Sequence, residues 1–451
     1  AAALEGTAVG DMCLETSAPG LGDLRESFVT VRTAGGDTLT DFRFESAEIL
    51  PEKPMLEGLP SSYDGSGKCQ TLRVTLSEKR LDLRLTLLYT AFDECDVITR
   101  SALLTNCGRE PVIVLRLMSN QVDFDCQDLT LTTFNGAWAR EFEPTDPPCG
   151  PGAVISGSRA GTSSNRANPF VILREKNAGE DWGGCYGFHL LYSGDPFACA
   201  SGNAYGKLRF LHGIQPEGFT WLLEGGESFT APEAAMTWGW GLSDMSLHLH
   251  AFIREHILRG YWKYRQRPIL VNSWESFYFK FTQRDLLRLA RQGRDLGAEL
   301  FVLDDGWFGR RDSDACSLGD WTTVHPKKLP QGLKGLADEV RELGLQFGLW
   351  VEPEMVSEDS QLYRTHPDWI LGRPGQAVGR NQYILDLSRP EVQEHIIDAM
   401  TAVFSSADIS YVKWDMNRIM TDTFSAAWPP QRQGEVRHRY ILGLYRILEE
   451  L

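Results

Sequence analysis

The densest chemistry in the chain sits in one short stretch, Tyr411-Val412-Lys413-Trp414-Asp415-Met416-Asn417-Arg418. A lysine, an indole, a carboxylate, an amide and a guanidinium fall within it. The residues just before them, Ile409 to Val412, read as a short buried strand. A strand that ends in charge at a loop is where an α/β barrel keeps its chemistry: the strand fixes the backbone and the loop stays open to ligand. A solvated strand end would be written with the same letters, so the choice rests on the rest of the chain.

Three further apolar runs end the same way. Pro268 to Asn272 runs into Trp274-Glu275. Leu300 to Leu303 runs into Asp304-Asp305-Gly306-Trp307, and Leu345 to Val351 into Glu352-Pro353-Glu354. Gathered on one face, Trp274, Asp304, Asp305, Trp350, Lys413, Asp415 and Asn417 would suit a neutral sugar. Hydroxyls need partners that accept and donate, which Asp and Asn supply. The C–H face of a pyranose packs on an indole. A carboxylate at the anomeric carbon stabilises or attacks an oxocarbenium-like centre. Lys413, two residues from Asp415 and on the same side of a strand, is expected to hold that carboxylate ionised. Asp304-Asp305 could bind a metal, but no histidine or further acid stands at ligand spacing, so neither metal nor cofactor is expected. Glu352 and Glu354 read equally well as solvated loop charge, and the two tryptophans as core.

The elements that must position these groups follow from periodicity. Residues 1–240 look all-β. Leu72 to Leu76 and Leu81 to Leu85 alternate apolar and polar around a turn at Glu78-Lys79-Arg80. Val97 to Leu104 and Val112 to Leu117 flank the turn-rich Asn106-Cys107-Gly108-Arg109, and 144–169 reads as a long loop. A large β-sandwich is the expectation. Residues 241–265 are read as a linker helix, with Gly260 as its stop. From 266 to 451 the rhythm is strand, loop, helix. One helix carries Leu286, Leu289, Ala290, Gly293 and Leu296 before Gly297. A second carries Leu333, Leu336, Ala337, Val340 and Leu343. A third, capped by Ser388, carries Val392, Ile396, Met400 and Val403, and Val436 to Leu451 makes a last one. Four β-α units imply parallel strands. With no GxGxxG or Walker loop, a (β/α) barrel fits better than a nucleotide-binding sheet. A complete barrel needs about 250 residues, and only about 185 follow position 266.

Composition narrows the function. The 451 residues, 42% of them hydrophobic, suffice for two or three domains. A net charge of −16 argues against nucleic acid and anionic membranes as partners. There is no run of about 18 apolar residues, and Ala1-Ala2-Ala3-Leu4-Glu5 lacks the look of a signal peptide. Nine scattered cysteines without CxxC spacing are expected to be reduced and packed, in a cytoplasmic protein.

The chain resembles the α-galactosidases of the melibiase type, glycoside hydrolase family 36. The likeness rests on Asn272-Ser273-Trp274-Glu275, Leu303-Asp304-Asp305-Gly306-Trp307-Phe308-Gly309, Gly348 to Val356, Gly379-Arg380-Asn381-Gln382 and Tyr411 to Arg418. In the β region Tyr89-Thr90-Ala91-Phe92 and Asp96 to Ser101 add to it. The resemblance implies an N-terminal β-supersandwich followed by a (β/α)8-type TIM barrel, of which about the first four units are present. It implies retaining double displacement on terminal α-D-galactosyl groups of sugars such as melibiose and raffinose, with Asp415 as nucleophile. Asp304 and Asp305 would bind the outer hydroxyls; Trp274, Trp350, Arg380, Lys413 and Asn417 would complete the subsite. It also implies a homo-oligomer, commonly a tetramer, in which an N-terminal loop reaches a neighbour. Here that loop is Gly22 to Glu26, with Leu24 where the family has an aromatic. No carboxylate after Asp415 (Asp422, Glu435, Glu449, Glu450) stands in the family's acid/base motif, so the chain reads as a fragment. As written, it is expected to be inactive or prone to aggregate. A galactosyl transferase of raffinose-family sugars shares the nucleophile, and a galactose-binding fragment without catalysis is the alternative of another class.

Overall fold

A computed structural model of the chain describes residues 9–65, 67–421 and 423–451; Asp422 lies outside them. The described backbone forms two compact units. One contains the chain up to Lys263 together with Pro430–Arg437, the other Tyr264–Pro429 with His438–Leu451.

The first unit is a pair of antiparallel sheets. In the larger, the strands run in the order Arg43–Leu50, Gln70–Glu78, Leu83–Phe92, Val97–Asn106, Ala234–Trp240, Gly184–Leu190, Phe170–Glu175, Leu129–Ala137 and Arg140–Thr145. The smaller is built around the long strand Val112–Phe124, with Val29–Arg32 on one side and Leu208–Ile214 then Pro196–Gly202 on the other. Alternation does the work: Leu83, Leu85 and Leu87 turn inward and the residues between them face out or lie at the margin. Leu131, Val171, Leu173 and Phe188 of the larger sheet pack on Ala198, Leu208 and Phe210 of the smaller. The Phe188 and Phe210 rings stack at 4.1 Å. This is the expected sandwich.

Three local expectations shift. The first hairpin turns at 79–82, with Asp82 left-handed at φ 54°, so Leu81 belongs to the turn. Val97–Asn106 and Val112–Phe124, adjacent in sequence, enter different sheets. The expected loop at 144–169 contains the strand Gly152–Gly157. The helix Leu242–Phe252, extended by a π turn at Ile253–Ile257, packs Met245, Leu249 and Phe252 against Phe92, Val97, Cys185 and Ala235. All nine cysteines are free thiols; Cys95, Cys185 and Cys199 are buried, whereas Cys13, Cys107 and Cys126 are exposed rather than packed. Among the described residues no helix is long and apolar enough to cross a membrane.

The second unit is organised by a parallel sheet in the order Leu270–Asn272, Leu300–Leu303, Gln346–Val351, Tyr411–Trp414. Helices Gln283–Asp295, Gly332–Glu342 and Pro390–Ser405 connect successive strands. Leu300–Leu303 is wholly buried, the mark of a strand covered on both faces. The two outer strands differ. Tyr411 and Val412 are 38% and 36% exposed, so the strand expected to be buried is an edge of the sheet.

Helix starts and faces also needed correction. Thr282 makes a capping box with Asp285. Ser388 is not a cap: its hydroxyl bonds Asp386, and Arg389 occupies the cap position. Leu296 is 90% exposed, and Leu287 takes its expected place in the core. A small antiparallel sheet of Met355–Val356, Tyr383–Leu385 and Ile370–Leu371, absent from the sequence reading, braces the segment that carries Arg380.

Candidate active site

Parallel pairing puts the four strand ends on one edge of the sheet. Val302, Gly348 and Tyr411 share one register row, and Leu303, Leu349 and Val412 the next. Trp350 and Lys413 pair in the row after that, and Asp304 directly follows the last paired residue of its strand. Side chains in one row point the same way, and Lys413 Nζ reaches across the intervening strand to Asp304 Oδ2 at 2.8 Å. This corrects the expectation that Lys413 serves Asp415. Asp304 is 3% exposed. Its Oδ2 also accepts from Asn272 Nδ2 at 2.6 Å, and its Oδ1 from the Asp305 N–H at 2.9 Å. Asp305 is gripped by Arg311, Nε to Oδ1 at 3.0 Å and Nη2 to Oδ2 at 2.9 Å, the two-pronged geometry that guanidinium offers a carboxylate. Burial pushes the Asp305 carboxyl above its usual range, with Asp304 adding to it and Arg311 pulling back.

Asp415 follows the last residue of its strand and is held differently. Its Oδ2 accepts from Trp350 Nε1 at 2.9 Å and from Asn417 Nδ2 at 2.8 Å, and its Oδ1 from the Met416 N–H at 3.1 Å. All three donors are neutral. The Trp350 ring, 2% exposed, lies parallel to Phe308, its carbonyl held by Trp307 Nε1 at 3.0 Å. Arg380 donates to Asn417 Oδ1 at 2.9 Å. Trp274 is fixed through its N–H to Asn272 Oδ1 at 2.7 Å and by edge contacts with Tyr278 and Phe279. Two clusters result: Asp304, Lys413, Asp305 and Trp274 in one, Asp415, Trp350, Asn417 and Arg380 in the other, joined through the strand of Trp350, which lies between the strand that leads into Asp304 and the one that carries Lys413.

Comparison with known proteins decides the family. The profile of the glycosyl hydrolase family 36 N-terminal domain matches residues 1–224, and the Melibiase profile matches 228–451. The chain belongs to glycosyl hydrolase family 36. It is 47% identical to α-galactosidase AgaA of Geobacillus stearothermophilus over 97% of this chain and 60% of that protein. It is 41% identical to α-galactosidase Mel36A of Lactobacillus acidophilus, with the same coverages. A crystal structure of a variant of the Geobacillus enzyme in complex with raffinose matches with a TM-score of 0.95 at 46% identity, covering 98% of this chain and 62% of that one. The chain thus spans about 60% of the length of these relatives.

Within this family 36 chain, sequence reasoning missed two residues that hold the clusters together, Asn272 and Arg311, and did not decide between two readings of Glu352 and Glu354. Asn272 stood in the motif beside Trp274, and its place at a strand end was the available signal. Arg311 lies in the loop beyond Asp305, where no spacing rule points to it. Glu352 and Glu354 were left between solvated charge and function. They are 1% and 2% exposed, so the solvated reading is wrong. Burial lifts Glu354 well above the ordinary range, with Glu352 adding to it, and Trp414 Nε1 donates to it at 2.7 Å.

Proposed function

We propose that the protein containing this chain is a retaining α-galactosidase, hydrolysing terminal non-reducing α-D-galactosyl groups of oligosaccharides such as melibiose and raffinose. The observation that carries the reading is Asp415, a carboxylate at a strand end whose donors among the described residues are all neutral, one of them Trp350 of the neighbouring strand, which pairs with Lys413. Asp415 attacks the anomeric carbon and forms a galactosyl-enzyme that water then hydrolyses. Asp304 and Asp305, each fixed by a cation, accept the outer hydroxyls. Lys413, with about a third of its side chain exposed, donates to the sugar while ordering Asp304. Arg380, Asn417, Trp274 and Trp350 close the subsite.

The open four-stranded sheet is read as the first half of a (β/α)8 barrel. Its exposed outer strands are what a further strand on each side would cover. A retaining mechanism also needs a proton-donating carboxyl about 5–5.5 Å from the nucleophile. Asp304 and Asp305 are paired with cations, Glu435 is buried against Leu222 N and Arg432 in the first unit, and Glu449 and Glu450 are exposed at a helix end. None of these described carboxyls is free to serve, and we propose that the acid/base group is contributed by the remainder of the full-length protein. Leu24, 98% exposed and next to an Arg25 held by Asp23 and Asp123, suits an oligomer in which this loop meets a neighbour.

The test is an aryl α-galactoside, followed by proton NMR. The full-length protein releases α-galactose first, and the 451-residue chain alone turns over at least about 100-fold more slowly for want of general acid. First release of β-galactose would contradict retention, and equal turnover would place the acid within this chain.

A further inference from the structure

We infer that Glu352 is the positioning residue that locks both sugar-facing loops of this site, and that it works as the neutral acid. The inference rests on the α-galactosidase reading above.

Two loops carry polar groups toward the site without being strands. The turn at 379–382 presents Arg380. It is closed by Gln382 N–H to Gly379 O at 3.1 Å, with Arg380 and Asn381 both left-handed at φ 53° and 58°. Side chains larger than Asn or Gly seldom occupy the first of those positions, so the turn persists only if its surroundings hold it. The second loop, 415–417, presents Asp415 and Asn417. Glu352 touches both. Its Oε2 accepts from Gln382 Nε2 at 3.2 Å, within the first turn, and its Oε1 accepts from the Asn417 N–H at 2.7 Å, within the second. With its backbone fixed there, Asn417 extends its amide to Asp415 at 2.8 Å and its oxygen to Arg380 at 2.9 Å. One buried carboxyl thereby sets the spacing between a nucleophile, an amide and a guanidinium.

The proton follows from what surrounds the carboxyl. Gln382 is 1% exposed, and its Oε1 has no hydrogen-bond partner. Gln382 presents its Nε2 to Glu352, and turning the amide over would exchange an unpartnered oxygen for an unpartnered NH2, so this bond fixes the carboxyl's place and not its proton. The groups facing Glu352 are Asp415, Asp305 and Glu354, all acidic, with Arg311 and the Asn417 N–H opposing them. Burial is the largest influence, and the carboxyl is pushed up to about 7. Neutral Glu352 also spares Asp415 a second buried negative charge beside it.

The experiment compares E352L and E352Q in the full-length enzyme, with D415A as control, measuring kcat and KM on an aryl α-galactoside. Loosening both loops lowers kcat/KM of E352L about 100-fold. KM rises as Arg380 and Asn417 disengage, a change that loss of folded enzyme alone would not produce. Gln keeps an acceptor for Asn417 N–H and carries no charge, so E352Q recovers at least about tenfold of the E352L loss. If E352Q is as impaired as E352L, the neutral-acid role is wrong. If E352L keeps the wild-type KM and kcat while D415A is inactive, the positioning role falls and the galactosidase reading stands. Turnover by D415A would remove the reading on which both rest.

Discussion

Two carboxylate centres sit on one sheet edge and are held in opposite ways. Asp304 and Asp305 each bind a cation, Lys413 and Arg311, and Asp304 also accepts from the Asn272 amide and the Asp305 N–H. Among the described residues Asp415 meets only an indole N–H, an amide and a backbone N–H. An ion-paired carboxylate is a fixed acceptor: the cation lowers its nucleophilicity and locks its orientation. A carboxylate held by neutral donors is oriented just as firmly but keeps a full charge to give to an electrophilic carbon and take back later. The contrast supports the proposal that Asp304 and Asp305 bind the sugar and Asp415 forms the bond.

That contrast can be broken at several points, and the largest effect should come from the nucleophile. In the full-length enzyme D415A lowers kcat by at least about 10⁴-fold, while galactose still binds, as seen by calorimetry or protection against unfolding. Next comes the guanidinium. R311M leaves Asp305, 6% exposed, without its cation, and a buried charge robbed of its partner destabilises by about 3–5 kcal/mol in denaturant unfolding. The double change R311M/D305N should recover much of that loss, since an amide needs no counter-charge.

A pH experiment sharpens the comparison through the third carboxyl. Glu352 sits at about 7 in the folded protein against an ordinary value of 4.5. Between those values the unfolded chain has lost the proton and the folded chain keeps it. Glu352 therefore contributes stability that is fully present below pH 4.5 and lost as pH rises through about 7. Relative to E352Q, the wild type should lose about 3 kcal/mol between pH 4.5 and 8, read from urea unfolding at each pH. A difference that stays flat would show that Glu352 is ionised throughout. The smallest effect belongs to Lys413. K413M should raise KM about tenfold and leave the fold intact, because that side chain is one-third exposed and its pair with Asp304 is partly screened.

Much of this was written in the sequence, and the failures share a cause. Leu300–Leu303 was legible to the residue, since four apolar side chains between Glu299 and Asp304 can only be a doubly covered strand of this length. The strand expected at Ile409 to Val412 lies two residues later, at Tyr411–Trp414, and is exposed rather than buried, because exposure depends on whether another strand lies beside it, and local pattern carries no trace of that. Asp304, Asp305 and Asp415 stood out as charge at strand ends. Lys413 was assigned to the wrong carboxylate: period-two spacing pointed along the strand, but the partner came from across the sheet. Glu352 and Arg311 were hidden because their roles consist entirely of contacts with distant segments. Ser388 reads as a cap by a sound local rule, but its hydroxyl is engaged by the buried Asp386 and Arg389 stands at the cap position.

The central claim is that Asp415 forms the bond to galactose. It is tested most directly by trapping the full-length enzyme with an activated fluorinated galactosyl donor whose turnover stalls at the covalent stage, then mapping the adduct by peptide mass spectrometry. One galactosyl label per active site on the peptide containing Asp415, at its carboxylate, is the predicted result. A label on Asp304, Asp305 or Glu352, with Asp415 unmodified, would contradict it.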